Sequence, residues 1–169
     1  VELYGDGKDD LANGWIIGHP VHVIYDYTLA GVWQEGEDPS GWDPTAKPGY
    51  LKFANLNKDG KIDESDKSIL GSPIPKWTGG ITNTFHYKNW HLNVFIQTVQ
   101  GVLRNNVALF YADEAYRLNL PAEIGYWTAQ NKSQTRPSLD PAARAAARGY
   151  NYPSDGSYTR IKDVTLSYT

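Results

Sequence analysis

The chain contains no cysteine among its 169 residues. Without thiols it can form neither a disulfide framework nor a thiolate metal site. It also lacks any run approaching the roughly 18 consecutive apolar residues of a membrane helix. Its first ten residues, VELYGDGKDD, have neither a basic start nor an apolar stretch. We therefore expect no transmembrane helix and no signal peptide within it.

An excess of positive charge is missing as well. Lys and Arg together number 16 against 19 Asp and Glu, which gives a formal net charge of −3. Proteins that bind nucleic acid do so largely by neutralising phosphates with a basic surface. A nucleic-acid partner is therefore not expected.

Aromatic and turn-forming residues are abundant, with 12 Tyr, 6 Trp, 16 Gly and 10 Pro. This composition favours short strands and turns over helical bundles, and hence an all-β fold. Residues 1–79 are loop-rich, whereas strands are predicted at 80–88, 90–101 and 157–169. A second loop-rich stretch lies between them, at 102–156.

A short helix is predicted inside this second stretch. Asp140 is its expected N-cap, Pro141 takes the first helical position and Gly149 follows its end. The chain starts with Val and stops inside the strand-like run DVTLSYT. We therefore expect it to be a piece of something longer.

The strongest strand pattern is a hairpin with a two-residue turn at Lys88 and Asn89. This turn fixes the register, because positions on the two strands must then sum to 177. One face carries the pairs Tyr87 with Trp90, Phe85 with Leu92, Asn83 with Val94, and Ile81 with Ile96. The other face is mostly polar and includes His86 opposite His91 and Thr84 opposite Asn93.

The last run repeats this alternation. Val164, Leu166 and Tyr168 share one face, and Arg160 and Lys162 are expected to continue that face. A half-buried soluble sheet gives the same pattern. Strand lengths close to the roughly 9–11 residues of a tilted membrane-crossing strand, and aromatics beside a tight turn, favour a transmembrane sheet.

A calcium-type loop is predicted at residues 55–66. The loop pattern needs oxygen ligands at fixed positions and a glycine for a sharp turn, and Gly60 takes the glycine position. Ile62 takes the apolar position that anchors such a loop to a core. The predicted ligands are Asn55, Asn57, Asp59, the carbonyl of Lys61, Asp63 and Asp66.

Two positions depart from the usual loop: Asn55 replaces Asp at the first ligand position, and Asp66 replaces the longer Glu at the last. Three carboxylates remain, which predicts weak affinity suited to calcium-rich surroundings. The alternative is a Gly turn held by Asx hydrogen bonds with no ion.

No arrangement of residues indicates catalysis, so no enzyme activity is expected. His86 and His91 are interpreted as a solvated cross-strand pair. The acidic residues Glu35, Glu37 and Asp38 beside Trp33 and Trp42 fit either a sugar-binding surface or, with more weight, a small packing centre.

Four motifs carry a family resemblance through their order along the chain. They are YTLAGVWQ, then KPGYLKFANLNKDGKIDESDKSILGSPIPKWTGGITNTFHYKNWHLNVFIQ, then YWTAQNKSQTRP, and finally DGSYTRIKDVTLSY. In this order they resemble the carboxyl-terminal part of SusC/RagA-type TonB-linked outer-membrane proteins of Bacteroidetes.

The resemblance implies a fold and a function. The fold is an antiparallel transmembrane β-barrel of about 22 strands with long extracellular loops, of which this chain is a fragment. The function is TonB-driven import of oligosaccharides or peptides across the outer membrane, with a SusD-like surface lipoprotein as lid. Residues 1–79, including the calcium-type loop, and 102–156 would then be extracellular, and 80–169 would supply barrel strands in contact with outer-membrane lipid. The alternative is a soluble dockerin-like or glycan-binding calcium module.

Overall fold

The computed structural model describes residues 7–115 and 124–169. Most of the regular secondary structure within these residues is β-strand, with two α-helices and one 3-10 turn. No helix among them is long and apolar enough to cross a membrane. The strands are β1 (Ile24–Tyr27), β2 (Leu29–Val32), β3 (Leu51–Phe53), β4 (Lys67–Gly71), β5 (Trp77–Tyr87), β6 (Trp90–Gln100), β7 (Leu103–Arg104), β8 (Ser154–Asp155) and β9 (Tyr158–Tyr168). The helices are α1 (Val107–Ala115) and α2 (Pro141–Ala145), and the 3-10 turn is Glu64–Asp66.

The chain divides into two compact units that interleave along the sequence. The first contains residues 1–24, 71–104 and 154–169, and the second contains 25–70 and 105–153. These units are not the sequential regions 1–79 and 80–169. That residues 1–79 are extracellular stays a prediction.

The first unit is dominated by an antiparallel sheet in the order β5-β6-β9. The predicted hairpin register is confirmed, since Tyr87 pairs with Trp90 and Ile81 with Ile96. Lys88 opens the turn in the left-handed region, with φ of +53°. β5 begins at Trp77 rather than at the predicted position 80, so the hairpin is longer than expected.

Side chains on the apolar face of this sheet are largely exposed. Ile81, Phe85, Val164 and Leu166 each keep 57 to 61% of their surface accessible. Their side chains follow the strand period of two, so they share one face while polar residues occupy the other. Soluble monomers rarely expose contiguous apolar patches of this kind, and such patches mark contact with a partner or a membrane.

The predicted position of Arg160 is wrong because β9 contains a register shift. Phe95 pairs with Asp163 but Ile96 pairs with Ile161, so Lys162 has no partner in β6. Beyond this bulge Ile161, not Arg160, continues the apolar face. Arg160 instead pairs with Gln97 on the polar face, and its Nη2 donates to Gln97 Oε1 at 3.4 Å.

The second unit has its own hydrophobic core, to which both of its chain segments contribute. Phe53 contacts Tyr27 at 5.0 Å and Tyr150 at 5.3 Å between ring centroids. Burial raises the pKa of Tyr150 to about 12, which keeps its hydroxyl neutral. The buried members of this core are Tyr27, Val32, Leu51, Phe53, Ile62, Ala147, Tyr150 and Tyr152.

The two helices differ in how far the sequence predicted them. α2 begins as expected, with Pro141 at its start and the Asp140 side chain accepting from Ala142 N at 2.7 Å, but it ends at Ala145. α1 lies in the stretch 102–156, which the sequence predicts to be loop-rich, so this helix is not predicted. Asn106 caps α1, since its Oδ1 accepts from Leu109 N at 3.1 Å.

Candidate functional site

The predicted calcium-type loop leaves the end of β3 and is anchored to the core of the second unit at two points. Ile62 is buried, as its position in the loop pattern predicted. Asp66, in the 3-10 turn, has no exposed surface at all. Gly60 has a φ of +82°, which confirms the sharp turn expected there and explains why glycine is used.

Asx hydrogen bonds shape the first half of the loop. Asp59 N donates to Asn57 Oδ1 at 3.0 Å, and Lys61 N donates to Asp59 Oδ1 at 3.1 Å. Lys58 lies between them with a φ of +60°. These are the contacts expected of a stapled turn, and each of the two accepting oxygens keeps a second lone pair.

Asp66 closes the loop by holding two backbone amides. Its Oδ1 accepts from Leu56 N at 2.8 Å, and its Oδ2 accepts from Asp63 N at 2.9 Å. Asp63 in turn accepts from Ser65 N at 2.9 Å, which completes a capping box. Each carboxylate oxygen has a second lone pair, so these bonds are compatible with a cation ligand role.

A cation already lies between two of the predicted ligands, namely the side chain of Lys61. Its Nζ lies 2.5 Å from Asp63 Oδ2 and 3.6 Å from Asp59 Oδ2. The hydrogen bond to Lys61, followed by those to Ser65, lowers the pKa of Asp63 well below its usual range. The same contact raises the pKa of Lys61. The sequence reading used only the Lys61 carbonyl and missed this side chain, although acidic residues two positions away on both sides indicate it.

The donor set fits calcium in chemistry. All six predicted donors are oxygens, the ligand type that Ca²⁺ prefers. Asn55 Oδ1 is buried and has no hydrogen-bond partner in the described part of the chain, which fits a ligand role. In geometry the fit is incomplete: among residues 7–115 and 124–169, no three His, Asp or Glu side chains gather as a metal-binding group.

The aromatic residues near the acidic cluster form a packing centre, which was the favoured interpretation. Trp33 is buried and meets Trp42 edge to face at 6.0 Å between centroids. The Lys52 ammonium lies 4.2 Å from the centre of the Trp33 ring and pairs with Glu37 at 2.9 Å. A sugar therefore finds no free ring face to stack on at Trp33.

The second candidate site is the exposed apolar face of the β5-β6-β9 sheet. At its turn end, Trp90 and Tyr168 meet with ring centroids 5.0 Å apart, and Tyr87 lies beside them opposite Trp90. The Lys88 ammonium lies 5.5 Å from the Tyr87 ring centre. An apolar band that ends in aromatic residues at a tight turn is typical of strands that face a bilayer.

Comparison with known proteins shows which proteins the chain is similar to. The chain is 30% identical over 154 residues to TonB-dependent receptor P3 of Formosa agariphila. The aligned region covers 89% of this chain and 15% of that receptor. It is also 30% identical over 172 residues to TonB-dependent receptor P26 of the same organism, in an alignment that covers 99% of this chain and 17% of that receptor. No family model matches the chain.

The chain is therefore homologous to a segment of TonB-dependent receptors, and the resemblance to TonB-linked proteins is confirmed. It spans about one sixth of the length of these relatives. Both relatives are named as receptors.

Proposed function

We propose that this chain is a strand-and-loop segment of a SusC/RagA-type TonB-dependent transporter in the outer membrane. In this proposal β5, β6 and β9 are part of an antiparallel barrel of about 22 strands, and the second unit is an extracellular loop region. The complete protein imports oligosaccharides or peptides with energy delivered by TonB and with a SusD-like surface lipoprotein as lid. The homology to TonB-dependent receptors supports the transporter class.

The observation that carries the proposal is the exposed apolar face. Three adjacent strands, each of 11 residues, present apolar side chains on the same side. A strand of that length spans the hydrocarbon core when it is tilted. The apolar side chains on this face are not covered by the described residues. In the proposal they are buried against the hydrocarbon of the bilayer.

The test places an arginine on the apolar face or on the polar face of the β5-β6-β9 sheet, at about the same distance from the turn. Val94 lies near the middle of β6, paired with Asn83 and Val164 on the apolar face. An arginine at the bilayer midplane costs about 2 to 4 kcal/mol. Val94→Arg should therefore reduce the amount of receptor in the outer-membrane fraction, measured by immunoblot and by heat-modifiable migration.

The matched control is Thr165→Arg, in the adjacent strand and on the polar face, where Thr165 pairs with Asn93. It should insert at wild-type yield because its face lines water. Normal insertion of Val94→Arg would show that this face does not touch lipid. Recovery of the parent in the soluble fraction would favour the alternative, a soluble calcium module that buries the same face against its own chain.

We also propose that the loop at 55–66 binds calcium as a structural ion. The ligands would be the side chains of Asn55, Asn57, Asp59, Asp63 and Asp66 and the carbonyl of Lys61. The support is the all-oxygen donor set, the buried Asn55 Oδ1 without a partner, and two carboxylates that already converge on one ammonium. In this state the Lys61 ammonium neutralises the charge that calcium would neutralise, so the two cations compete.

Calorimetric titration with CaCl2 tests this proposal through that competition. With three carboxylates we expect a dissociation constant on the order of 10⁻⁴ to 10⁻³ M, as in extracellular calcium modules. Asp59→Ala should abolish the calcium heat, and Lys61→Gln should strengthen binding. Glu64→Ala is the control, because it removes an exposed carboxylate of the same segment that is not a predicted ligand.

Two results would overturn the calcium proposal. One is the absence of calcium heat in both the parent and Lys61→Gln, which would mean that Lys61 and the Asx bonds hold the loop alone. The other is equal weakening by Asp59→Ala and Glu64→Ala, which would indicate a general charge effect.

A further inference from the structure

The polar face of the β5-β6-β9 sheet carries a pair of histidines next to its turn. His86 and His91 are directly opposed in the hairpin register. Their ring centroids lie 4.6 Å apart with an interplanar angle of 82°, and the two Nδ1 atoms are in contact. The two nitrogens make this contact when one ring donates its Nδ1–H to the Nδ1 lone pair of the other, and the tautomer decides which ring donates. A divalent cation bound to both Nδ1 lone pairs can take the place of this hydrogen.

The ring of His91 is oriented by a second contact. Its Nε2 lies 3.1 Å from Thr169 Oγ1. Thr169 is itself fixed, since its backbone N donates to Asn89 O at 2.9 Å. Metal-binding histidines commonly donate their other ring N–H to an oxygen, which sets the tautomer. Donation from Nε2 to Thr169 leaves a lone pair on His91 Nδ1, directed at His86.

The surroundings of the pair define which metal fits. Its neighbours on this face are neutral and polar: Ser167 opposes His91, and the next pair, Thr84 and Asn93, shares a hydrogen bond of 3.0 Å. No third His, Asp or Glu completes a metal-binding group within the described residues. A nitrogen donor set without carboxylates suits Zn²⁺, Cu²⁺ or Ni²⁺ and disfavours the hard cations Ca²⁺ and Mg²⁺.

We propose that His86 and His91 form a two-histidine site for a borderline divalent cation, represented by Zn²⁺. The metal takes the place of the hydrogen between the two Nδ1 atoms, and His86 then carries its N–H on Nε2. Water fills the remaining positions, and β5 is joined to β6 beside the turn. Occupation therefore opposes separation of the two strands at the end of the hairpin where they are connected by only Lys88 and Asn89. This site is distinct in place and in chemistry from the oxygen-lined loop at 55–66.

The test uses the purified protein, stripped of metal with EDTA and titrated with ZnCl2 in excess CaCl2. The calcium keeps the loop at 55–66 from contributing to the heat. His86→Gln and His91→Gln should each weaken zinc binding at this site at least about tenfold. The double variant should lose no more than either single variant, because the site needs both rings. His19→Gln, which removes an exposed imidazole from another part of the chain, is the matched control and should bind as the parent does.

A second readout identifies the ligands directly. With one equivalent of Cu²⁺, electron paramagnetic resonance of the parent should show hyperfine coupling to two imidazole nitrogens, and each single variant should show one fewer. The proposal is overturned if the parent binds no zinc, if all variants bind zinc alike, or if the copper spectrum is the same in the parent and in His86→Gln.

Discussion

Replacing Asp66 tests how much of the loop's stability depends on one buried carboxylate. Asp66 has no exposed surface, and its two oxygens hold Leu56 N at 2.8 Å and Asp63 N at 2.9 Å. Hydrogen bonds to charged groups contribute about 1.5 to 3 kcal/mol each. The two bonds share one side chain, and water entering the vacated space offsets part of the loss. We therefore expect Asp66→Ala to destabilise the closed loop by about 3 kcal/mol.

Hydrogen exchange measures this loss where it occurs. Because about 1.4 kcal/mol corresponds to a factor of ten, exchange at the amides of Leu56 and Asp63 should be faster by about 100-fold in Asp66→Ala. The measurement is made in EDTA, so that any bound calcium does not contribute. Far amides such as those of β6 report whether the remaining fold is intact.

Glu64→Ala is the comparison within the same 3-10 turn. Its side chain is 80% exposed and pairs with Lys67 at the surface. Such pairs contribute at most about 1 kcal/mol. If exchange at Leu56 and Asp63 differed by less than about threefold between Asp66→Ala and Glu64→Ala, the loop would not depend on the buried carboxylate and the reasoning would be refuted.

Two further predictions concern the turn of the hairpin and the acid response of the loop. Lys88 has a φ of +53°, a backbone conformation that is costly for residues with a Cβ. Lys88→Gly should therefore stabilise the hairpin by up to about 1 kcal/mol in denaturant titration, whereas Asn89→Gly should not. Equal effects of the two substitutions would contradict this. The pKa of Asp63 is lowered chiefly by its hydrogen bond to Lys61, so its folded-state pKa lies below the ordinary value of 3.8. The stability that ionised Asp63 contributes to the folded state is then present above pH 3.8 and is lost as the pH falls below that value. The difference in unfolding free energy between the parent and Asp63→Asn should therefore be constant from about pH 5 to 8 and shrink below about pH 4. A difference independent of pH would contradict this.

The hairpin was predictable because a tight turn and a side-chain period of two leave only one register in which Tyr87 faces Trp90. The register shift in β9 was not predictable in the same way. A bulge depends on how the strand pairs with β6, and its one trace in the sequence is Ile161, which is out of phase with Val164 and Leu166. The error on Arg160 follows directly from that shift.

The candidate loop shows the same division between local and non-local information. Gly60 and Ile62 were assigned correctly because turn geometry and core anchoring follow from position within the motif. The ion pair of Lys61 with Asp63 depends on the conformation of the flexible lysine side chain. The spacing of charged residues along the sequence does not determine that conformation. α1 was missed although Asn106 precedes it as a capping residue, because the surrounding composition was read as a loop.

The core of the second unit joins residues far apart in the chain, with Phe53 in contact with Tyr150 and the β5-β6 hairpin inserted between them in sequence. All residues from Phe53 to Tyr150 must therefore be synthesised before this aromatic cluster can form. Until then Phe53 has Tyr27 beside it but not Tyr150. A protease cut in the intervening residues would leave two pieces still held together by noncovalent contacts.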